Sequence, residues 1–210
     1  MLKNSKNILS GTPVVTLNAT DPDIGLQGQV TYYLEPSSSS SHFILNPKSG
    51  VLSLASALDR ESQEFYDLTV KATDSDPDLP LASYAHVRVR VLDVNDVEPQ
   101  FSSKTYKIKA REDLPISTVI GSVQAYDPDL YQGGLVKYSL KHDDTNQFMI
   151  DEVSGVIRLK ERLNFEAKQF YNLTIKATDE GSPPLSSFAN VFVQGSYIQT
   201  LQKFIFSGHP

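Results

Sequence analysis

The residues best suited to chemistry in this chain form the acidic run Asp93-Val94-Asn95-Asp96, near the middle of its 210 residues. Two carboxylates, an amide and a backbone carbonyl lie within four positions. Carboxylates roughly 5 Å apart repel one another by about 1 kcal/mol in water, and by several times more where water is excluded. A bound cation would relieve this repulsion, and donors that are all oxygen atoms favour calcium.

The same residue types also have a simpler role, the capping of turns. Aspartate and asparagine side chains accept hydrogen bonds from their own backbone. This applies to the acidic run and equally to the Asp-Pro-Asp triplets at 21–23 and 127–129. For any one aspartate taken alone, turn capping is the favoured interpretation. A repeat that brings several of these residues into register favours ligand roles instead.

The composition disfavours several partners and kinds of site. A net charge of −6 and a pI of about 5.2 argue against binding to nucleic acid or to an anionic membrane surface. Cysteine is absent, which leaves neither a disulfide framework nor a thiolate metal site. No apolar run approaches the roughly 18 residues of a membrane span, so no direct membrane insertion is predicted.

The first ten residues lack the apolar core of a signal peptide. If the protein works outside the cell, we therefore expect this chain to be a fragment of a longer protein or an atypical isoform.

The sequence contains no recognisable catalytic constellation. Its four histidines are scattered without metal-ligand spacing, and no base motif accompanies the serine run at 37–41. The acidic clusters fall at the predicted ends of domains and not in a cleft, which argues against hydrolysis by paired carboxylates. No enzymatic activity is predicted.

An internal repeat organises the chain. The segment 64–74, which reads EFYDLTVKATD, recurs 105 positions later at 169–179 as QFYNLTIKATD. Upstream, the two Asp-Pro-Asp triplets are each followed by a Gly-x-Val-x-Tyr segment that begins at Gly28 or Gly134. A period of this length corresponds to one whole domain for each copy, and not to a solenoid unit.

Each copy has the pattern of a β domain. Short runs at 30–34, 65–72 and 85–92 are rich in Val, Tyr, Thr and Leu, and residues 86–91 alternate with period two. Turn residues punctuate the sequence about every 8 to 12 positions. The pattern predicts an all-β chain of two tandem seven-stranded Greek-key sandwiches joined by a linker. The expected domains are 1–97 and 98–193, followed by an atypical tail at 194–210.

These repeated motifs resemble the cadherin superfamily. The markers are Asp21-Pro22-Asp23, Leu58-Asp59-Arg60-Glu61, Ala72-Thr73-Asp74, the run from Asp93 through Pro99 to Phe101, and the second copies Asp127-Pro128-Asp129 and Ala177-Thr178-Asp179. The resemblance covers residues 1 to 193 almost completely. Since the chain has no tryptophan, it lacks the N-terminal tryptophan used for strand exchange and is more similar to interior repeats of a large Fat-like or protocadherin-type cadherin.

The resemblance implies up to three calcium ions at the junction between the two repeats. The implied ligands are Asp59 and Glu61 of the first repeat; Asp93, Val94, Asn95, Asp96 and Val97 of the linker, with the two valines acting through their carbonyls; and Asp127, Asp129, Asp179 and the carbonyl near Gly133 of the second repeat. It further implies that Asp21, Asp23 and Asp74 form half of another such junction.

One position departs from the family pattern. Lys6 stands where the family places a bridging glutamate, whereas the second copy keeps it as Glu112. A lysine removes a ligand and adds a positive charge, so we expect fewer or weaker ions on the side of the first repeat. The alternative is that residues 1–10 are not the native first strand and Lys6 never reaches the site.

Two sequons mark candidate glycosylation sites, Asn18-Ala19-Thr20 and Asn172-Leu173-Thr174. Both asparagines fall in predicted strands, where an outward-facing side chain is needed for modification.

The favoured function is a calcium-dependent cell-cell adhesion module of a cell-surface cadherin. The implied location is extracellular, at the plasma membrane through a parent chain, and the implied partners are other cadherin ectodomains, bound homophilically or heterophilically. One alternative is a non-adhesive structural spacer. Another is a carbohydrate-binding accessory β-sandwich, against which the absence of tryptophan argues.

Overall fold

The computed structural model describes residues 2–3, 10–25 and 27–196. Its internal contacts divide the chain between Asp96 and Val97 into two compact units. The predicted Lys6 substitution and most of the predicted tail lie outside the described residues.

The first unit is a two-sheet β structure. Its described strands are β1 (Leu2–Lys3), β2 (Pro13–Thr16), β3 (Thr31–Leu34), β4 (Phe43–Leu45), β5 (Val51–Leu54), β6 (Phe65–Thr73) and β7 (Ala82–Leu92). One sheet has the order β1-β7-β6-β3 and the other the order β2-β5-β4. All pairs are antiparallel except β1 with β7.

The core of the first unit lies between these sheets. The alternation in β5 and β6 buries Leu52 and Leu54 together with Tyr66 and Leu68, which belong to one hydrophobic cluster. Along β7 the predicted period of two is confirmed, since Val89 is buried whereas the arginines on either side of it are exposed.

The second unit repeats this architecture. Its described strands are β8 (Gln100–Phe101), β9 (Thr105–Arg111), β10 (Val119–Ser122), β11 (Ala125–Tyr126), β12 (Lys137–Asp143), β13 (Phe148–Ile150), β14 (Val156–Leu159), β15 (Phe170–Thr178) and β16 (Ser186–Ser196). The sheets are β12-β15-β16-β9, β10-β14-β13 and the short pair β11-β8. Two of the seven predicted strands are each divided into two shorter strands. The first is divided into β8 and β9, and the second into β10 and β11.

Among the described residues, the second core is the larger. Fourteen buried residues form one cluster there, against eight in the described part of the first unit. Its centre includes Phe165, Tyr171 and Leu173, and the Tyr171 ring meets the Phe148 ring edge-on with 5.3 Å between centroids. Edge-on aromatic pairs of this kind stabilise by about 0.5–1.5 kcal/mol beyond the burial of area.

Two glycines explain the tight turns before β5 and β14. Gly50 and Gly155 have φ values of 66° and 67°, in the left-handed region that favours glycine. A Cβ at either position would also overlap a backbone oxygen, that of Leu17 or Val123 respectively. The two copies therefore share a turn that only glycine can form without strain.

The all-β prediction is confirmed. Among the described residues the helical elements are limited to one 3-10 turn, Ser40–His42. The predicted strands at 30–34, 65–72 and 85–92 correspond to β3, β6 and β7, with boundaries shifted by no more than three residues.

Candidate calcium-binding site

The predicted ligands of the first unit lie at one end of its sheets. Asp59 and Glu61 are in the turn between β5 and β6, and the acidic run from Asp93 to Asp96 directly follows β7. The Ser62 hydroxyl donates a hydrogen bond of 2.6 Å to Asp59 Oδ2 and holds this carboxylate in place. A carboxylate oxygen of Glu61 lies within 4.8 Å of one of Asp96. The fold thus brings the turn and the acidic run together.

Arg60 is the counter-ion of this acidic cluster. Its Nε lies 2.5 Å from Asp93 Oδ1, and its guanidinium also pairs with the Glu61 carboxylate. The Arg60 side chain is only 10% exposed, so these ion pairs are stronger than pairs at the open surface. The motif Leu58-Asp59-Arg60-Glu61 places Arg60 beside two acids, but nothing in the sequence indicates that it reaches Asp93.

The carboxylates of the first unit are crowded. Burial raises the pKa of the Glu61 carboxyl, and a hydrogen bond with Asp59 raises it further, while Arg60 acts in the opposite direction. Both carboxylate oxygens of Asp96 are buried and accept no hydrogen bond from the described residues. Such oxygens are costly to bury unless a cation coordinates them.

The predicted ligands of the second unit are also clustered at one end. Asp127 and Asp129 follow β11, and Asp179 follows β15. All three are buried, with 4%, 4% and 3% exposure. Asp127 Oδ1 accepts a hydrogen bond of 3.0 Å from the Asp129 amide, and Asp129 Oδ2 accepts one of 3.2 Å from the Val97 amide. These bonds tie the triplet to the start of the unit.

Asp179 is oriented by its own turn. Its Oδ1 accepts hydrogen bonds from the amides of Gly181 and Leu185, at 2.9 Å and 3.1 Å. The next residue, Glu180, donates its amide to the Gln132 carbonyl at 3.0 Å. This bond joins the end of β15 to the turn that contains Gly133, whose carbonyl is a predicted ligand.

The structure shows the turn-capping role at these aspartates, and this role is compatible with the predicted ligand role. In the first unit, Asp21 Oδ1 accepts a hydrogen bond of 3.0 Å from the Asp23 amide. Asp127 Oδ1 accepts the corresponding hydrogen bond from the Asp129 amide in the second unit. Asp74 Oδ1 likewise accepts the Leu81 amide at 3.1 Å. Each carboxylate that caps a turn is fixed in direction by the backbone amide that donates to it.

The donor set fits calcium. Its side chains present oxygen donors alone, most of them carboxylates that are partly or fully buried. Calcium accepts six to eight oxygen ligands from flexible carboxylates and carbonyls, at about 2.3–2.6 Å. The predicted ligands are Asp59, Glu61, Asp93, Asn95, Asp96 and the Val94 carbonyl in the first unit, and Asp127, Asp129, Asp179 and the carbonyls of Val97 and Gly133 in the second.

Gly134 lies in the loop between β11 and β12 that also carries Asp127 and Asp129. Replacement of Gly134 should weaken calcium binding. A Cβ at position 134 would overlap the backbone oxygen of Asp129. We expect Gly134→Ala to shift this loop, to cost about 1–3 kcal/mol of stability, and to lower calcium affinity measured by isothermal titration calorimetry. Gly28→Ala is the matched control, since its Cβ would overlap the Asp23 oxygen in the corresponding loop of the first unit. Equal calcium affinity in the two variants would contradict this role of Gly134.

The two sequons differ in their placement. Asn172 lies in β15 with an exposed side chain, as predicted. Asn18 is also exposed, but the prediction that it lies in a strand is wrong. Strand β2 ends at Thr16, and the chain from residue 17 to residue 23 has no regular secondary structure.

No helix among the described residues is long and apolar enough to cross a membrane.

Comparison with known proteins identifies relatives over nearly the whole chain. The family model described as cadherin domain matches residues 4–92 and 106–194. Human Protocadherin Fat 1 is 42% identical over 183 residues, which cover 86% of this chain. The Drosophila melanogaster Fat-like cadherin-related tumor suppressor homolog is 41% identical over 185 residues, or 87% of this chain. The matched region is 4% of the length of each of these relatives.

Solved structures show the same fold. The crystal structure of mouse Cadherin-23 EC22-24 matches with a TM-score of 0.81 and 28% identity, covering 93% of this chain and 62% of that one. The cis-dimer structure of Protocadherin gammaB7 EC3-6 matches with a TM-score of 0.82 and 31% identity, covering 92% and 48%.

Proposed function

Because the chain belongs to the cadherin family, as two tandem cadherin domains, we propose that it is a calcium-dependent cell-cell adhesion module of a cell-surface cadherin. Cadherins are adhesion proteins of the cell surface, and their repeats generally bind calcium at inter-repeat junctions. The observation that carries the calcium assignment is the set of buried carboxylates Asp127, Asp129 and Asp179 at one end of the second unit, since buried charges in proteins are paired or coordinate a metal.

We infer that up to three ions bind where the two repeats join. The acidic run ends at Asp96, and the second unit begins at the next residue, which supports the proposal that the linker would supply ligands. Asp59 and Glu61 would contribute from the first repeat, and the triplet with Asp179 from the second. The proposed effect of Lys6 on the number of ions concerns a residue outside the described part of the chain.

Calcium in this site would stiffen the linker. Without it, carboxylates brought together at the junction would repel one another. Ions shared by ligands from both repeats replace that repulsion with attraction. A stiff series of repeats could then hold an adhesive surface at a defined distance from the membrane that anchors the parent chain.

The proposed partners are other cadherin ectodomains. Support comes from the relatives, since the gammaB7 structure that this chain resembles is described as a cis-dimer. Homophilic and heterophilic binding are both compatible with the family. Aggregation of beads that carry the chain, with and without calcium, tests adhesion directly. Calcium binding without bead aggregation would contradict the adhesive role and favour a structural spacer.

Thermal unfolding in calcium and in chelator tests the calcium assignment. Since an ion that binds only the folded state stabilises it, free calcium at 100 times the dissociation constant should add about 2.7 kcal/mol. The unfolding midpoint should therefore rise by several degrees in calcium. Magnesium at the same concentration is the control for ionic strength, because it prefers smaller, octahedral sites. A midpoint equal in calcium and chelator would overturn the assignment.

A further inference from the structure

The outer face of β15 and β16 carries exposed aromatic rings. Phe170 is 63% exposed, Phe188 53% and Phe192 44%. Phe170 and Phe192 line one groove of about 330 Å³, together with Lys107 and Lys109 of β9. Exposed aromatic rings that share a groove commonly mark a surface that something covers.

A sequon lies in the middle of this face. Asn172 pairs directly across the sheet with Phe192, and Phe170 lies two positions before it on the same face of β15. Directly opposed residues have Cβ atoms roughly 4.5–5.5 Å apart, and diagonal neighbours about 7–8 Å. The Asn172 side chain is exposed, whereas Leu173 beside it is fully buried. The asparagine therefore projects from the sheet between two exposed rings.

The first unit provides an internal comparison at the same positions of its repeat. There, Asp67 stands in place of the asparagine and pairs across the sheet with Arg88, with Nε–Oδ1 and Nη2–Oδ2 distances of 2.6 Å and 3.1 Å. Phe65 corresponds to Phe170, and the Arg90 guanidinium covers its ring at 5.7 Å from the centroid. Polar and charged groups of the chain itself thus cover this face in the first unit. In the second unit, the corresponding cross-strand partners are Phe192 and Gln194.

We propose that Asn172 carries an N-linked glycan whose first N-acetylhexosamine packs on the rings of Phe170 and Phe192. The C–H face of such a sugar is complementary to the partly negative face of an aromatic ring. The glycan thereby takes the place of the ion pair and the arginine that cover the face of the first unit. It also makes this face a shielded surface and directs protein contacts to other parts of the repeat.

The modification requires a sugar donor from the secretory pathway. The Asn172 amide nitrogen forms a bond to C1 of an oligosaccharide carried on a polyprenyl diphosphate. The bond between C1 and the diphosphate oxygen breaks, its electron pair leaves with the diphosphate, and the amide gives up one proton. Leu173 at the middle of the sequon is compatible with transfer, since proline alone is excluded there.

The experiment compares one sugar with none on the full chain, which is secreted from mammalian cells behind an added, cleavable signal peptide. An Asn18→Gln background leaves Asn172 as the site under test, and mass spectrometry of the peptide that contains it measures occupancy. Trimming by an endoglycosidase leaves a single N-acetylglucosamine, and the Asn172→Gln variant carries none. We expect Asn172 to be occupied and the single sugar to raise the unfolding midpoint by roughly 4 °C. Hydrogen exchange should assign the added protection to β15 and β16.

Two variants test whether the rings are responsible. In Phe192→Thr, the single sugar should raise the midpoint by less than half as much as in the parent. Asp67→Asn creates a sequon at the corresponding position of the first unit, opposite Arg88, and a sugar there should give no comparable rise. An unmodified Asn172 in the secreted protein would overturn the proposal and leave this face open to a protein partner. Equal stabilisation in the parent and in Phe192→Thr would overturn the packing of the sugar on the rings.

Discussion

The Asp129→Asn variant is expected to lose at least about half of the stabilisation that calcium at 100 times the parent's dissociation constant gives the parent chain. Asp129 is 4% exposed, and its Oδ2 accepts the Val97 amide. An asparagine keeps an oxygen that can accept this hydrogen bond but removes one negative charge from the proposed calcium site. At an effective dielectric constant of about 20, two unit charges about 4 Å apart interact by roughly 4 kcal/mol. We therefore expect calcium affinity to fall at least tenfold, which corresponds to about 1.4 kcal/mol.

The measurement is the unfolding midpoint as a function of free calcium, together with calorimetric titration. In chelator, Asp129→Asn should be at least as stable as the parent, because a buried charge has been removed. Glu98→Gln is the matched control, since it removes one negative charge from an exposed linker position that is not a predicted ligand. A calcium dependence of Asp129→Asn that coincides with that of the parent would remove Asp129 from the site.

The second large effect is expected at the core of the second unit. Leu173 is fully buried in the larger hydrophobic cluster. Replacing a buried leucine with alanine costs about 2–5 kcal/mol, the sum of lost transfer free energy and the cavity left behind. Since the whole stability of a domain is about 5–15 kcal/mol, Leu173→Ala should bring the second unit close to unfolding at 37 °C.

Leu68 occupies the corresponding position of the first unit and permits a direct comparison. It is 2% exposed and lies in the smaller cluster. We expect each alanine variant to destabilise the unit that contains the substitution. Urea unfolding followed by hydrogen exchange measures the stability of the two units separately. Val153→Ala, at a position 75% exposed in the same unit as Leu173, should change the free energy of unfolding by less than about 0.5 kcal/mol. The two cores are expected to be independent of one another. If Leu173→Ala also lost hydrogen-exchange protection in the first unit, this expectation would be wrong.

The fold was predictable from sequence patterns that recur in the two units. Alternation in β7 and the paired segments 64–74 and 169–179 predicted strands that the structure contains, because burial of every second residue is imposed by the sheet itself. The interruption of the first strand of the second unit into β8 and β9 was not predictable, since nothing in the composition of residues 100–111 marks the break. The error at Asn18 has the same origin, because the alternation of apolar and polar residues continues past Thr16 through Leu17 and Ala19 and does not mark where β2 ends.

The candidate site was predictable as a set of residues, though not as a set of interactions. The acidic motifs and their register named the oxygen donors, and the structure places them at one end of each unit. The hydrogen bonds that orient Asp127 and Asp179 arise from loop geometry that appears only after folding. The contact of Arg60 with Asp93 joins residues 33 positions apart and depends on how the turn after β5 meets the end of β7.

The position of Arg60 also bears on what a calcium titration of this protein would measure. Its guanidinium already neutralises part of the charge of Glu61 and Asp93, and it is tethered to them at a high effective concentration. Calcium at the proposed site would therefore have to displace a cation that the chain itself supplies, and the free energy of this ion pairing would be subtracted from the free energy of calcium binding. Arg60 would thus raise the calcium concentration at which the proposed site is half occupied.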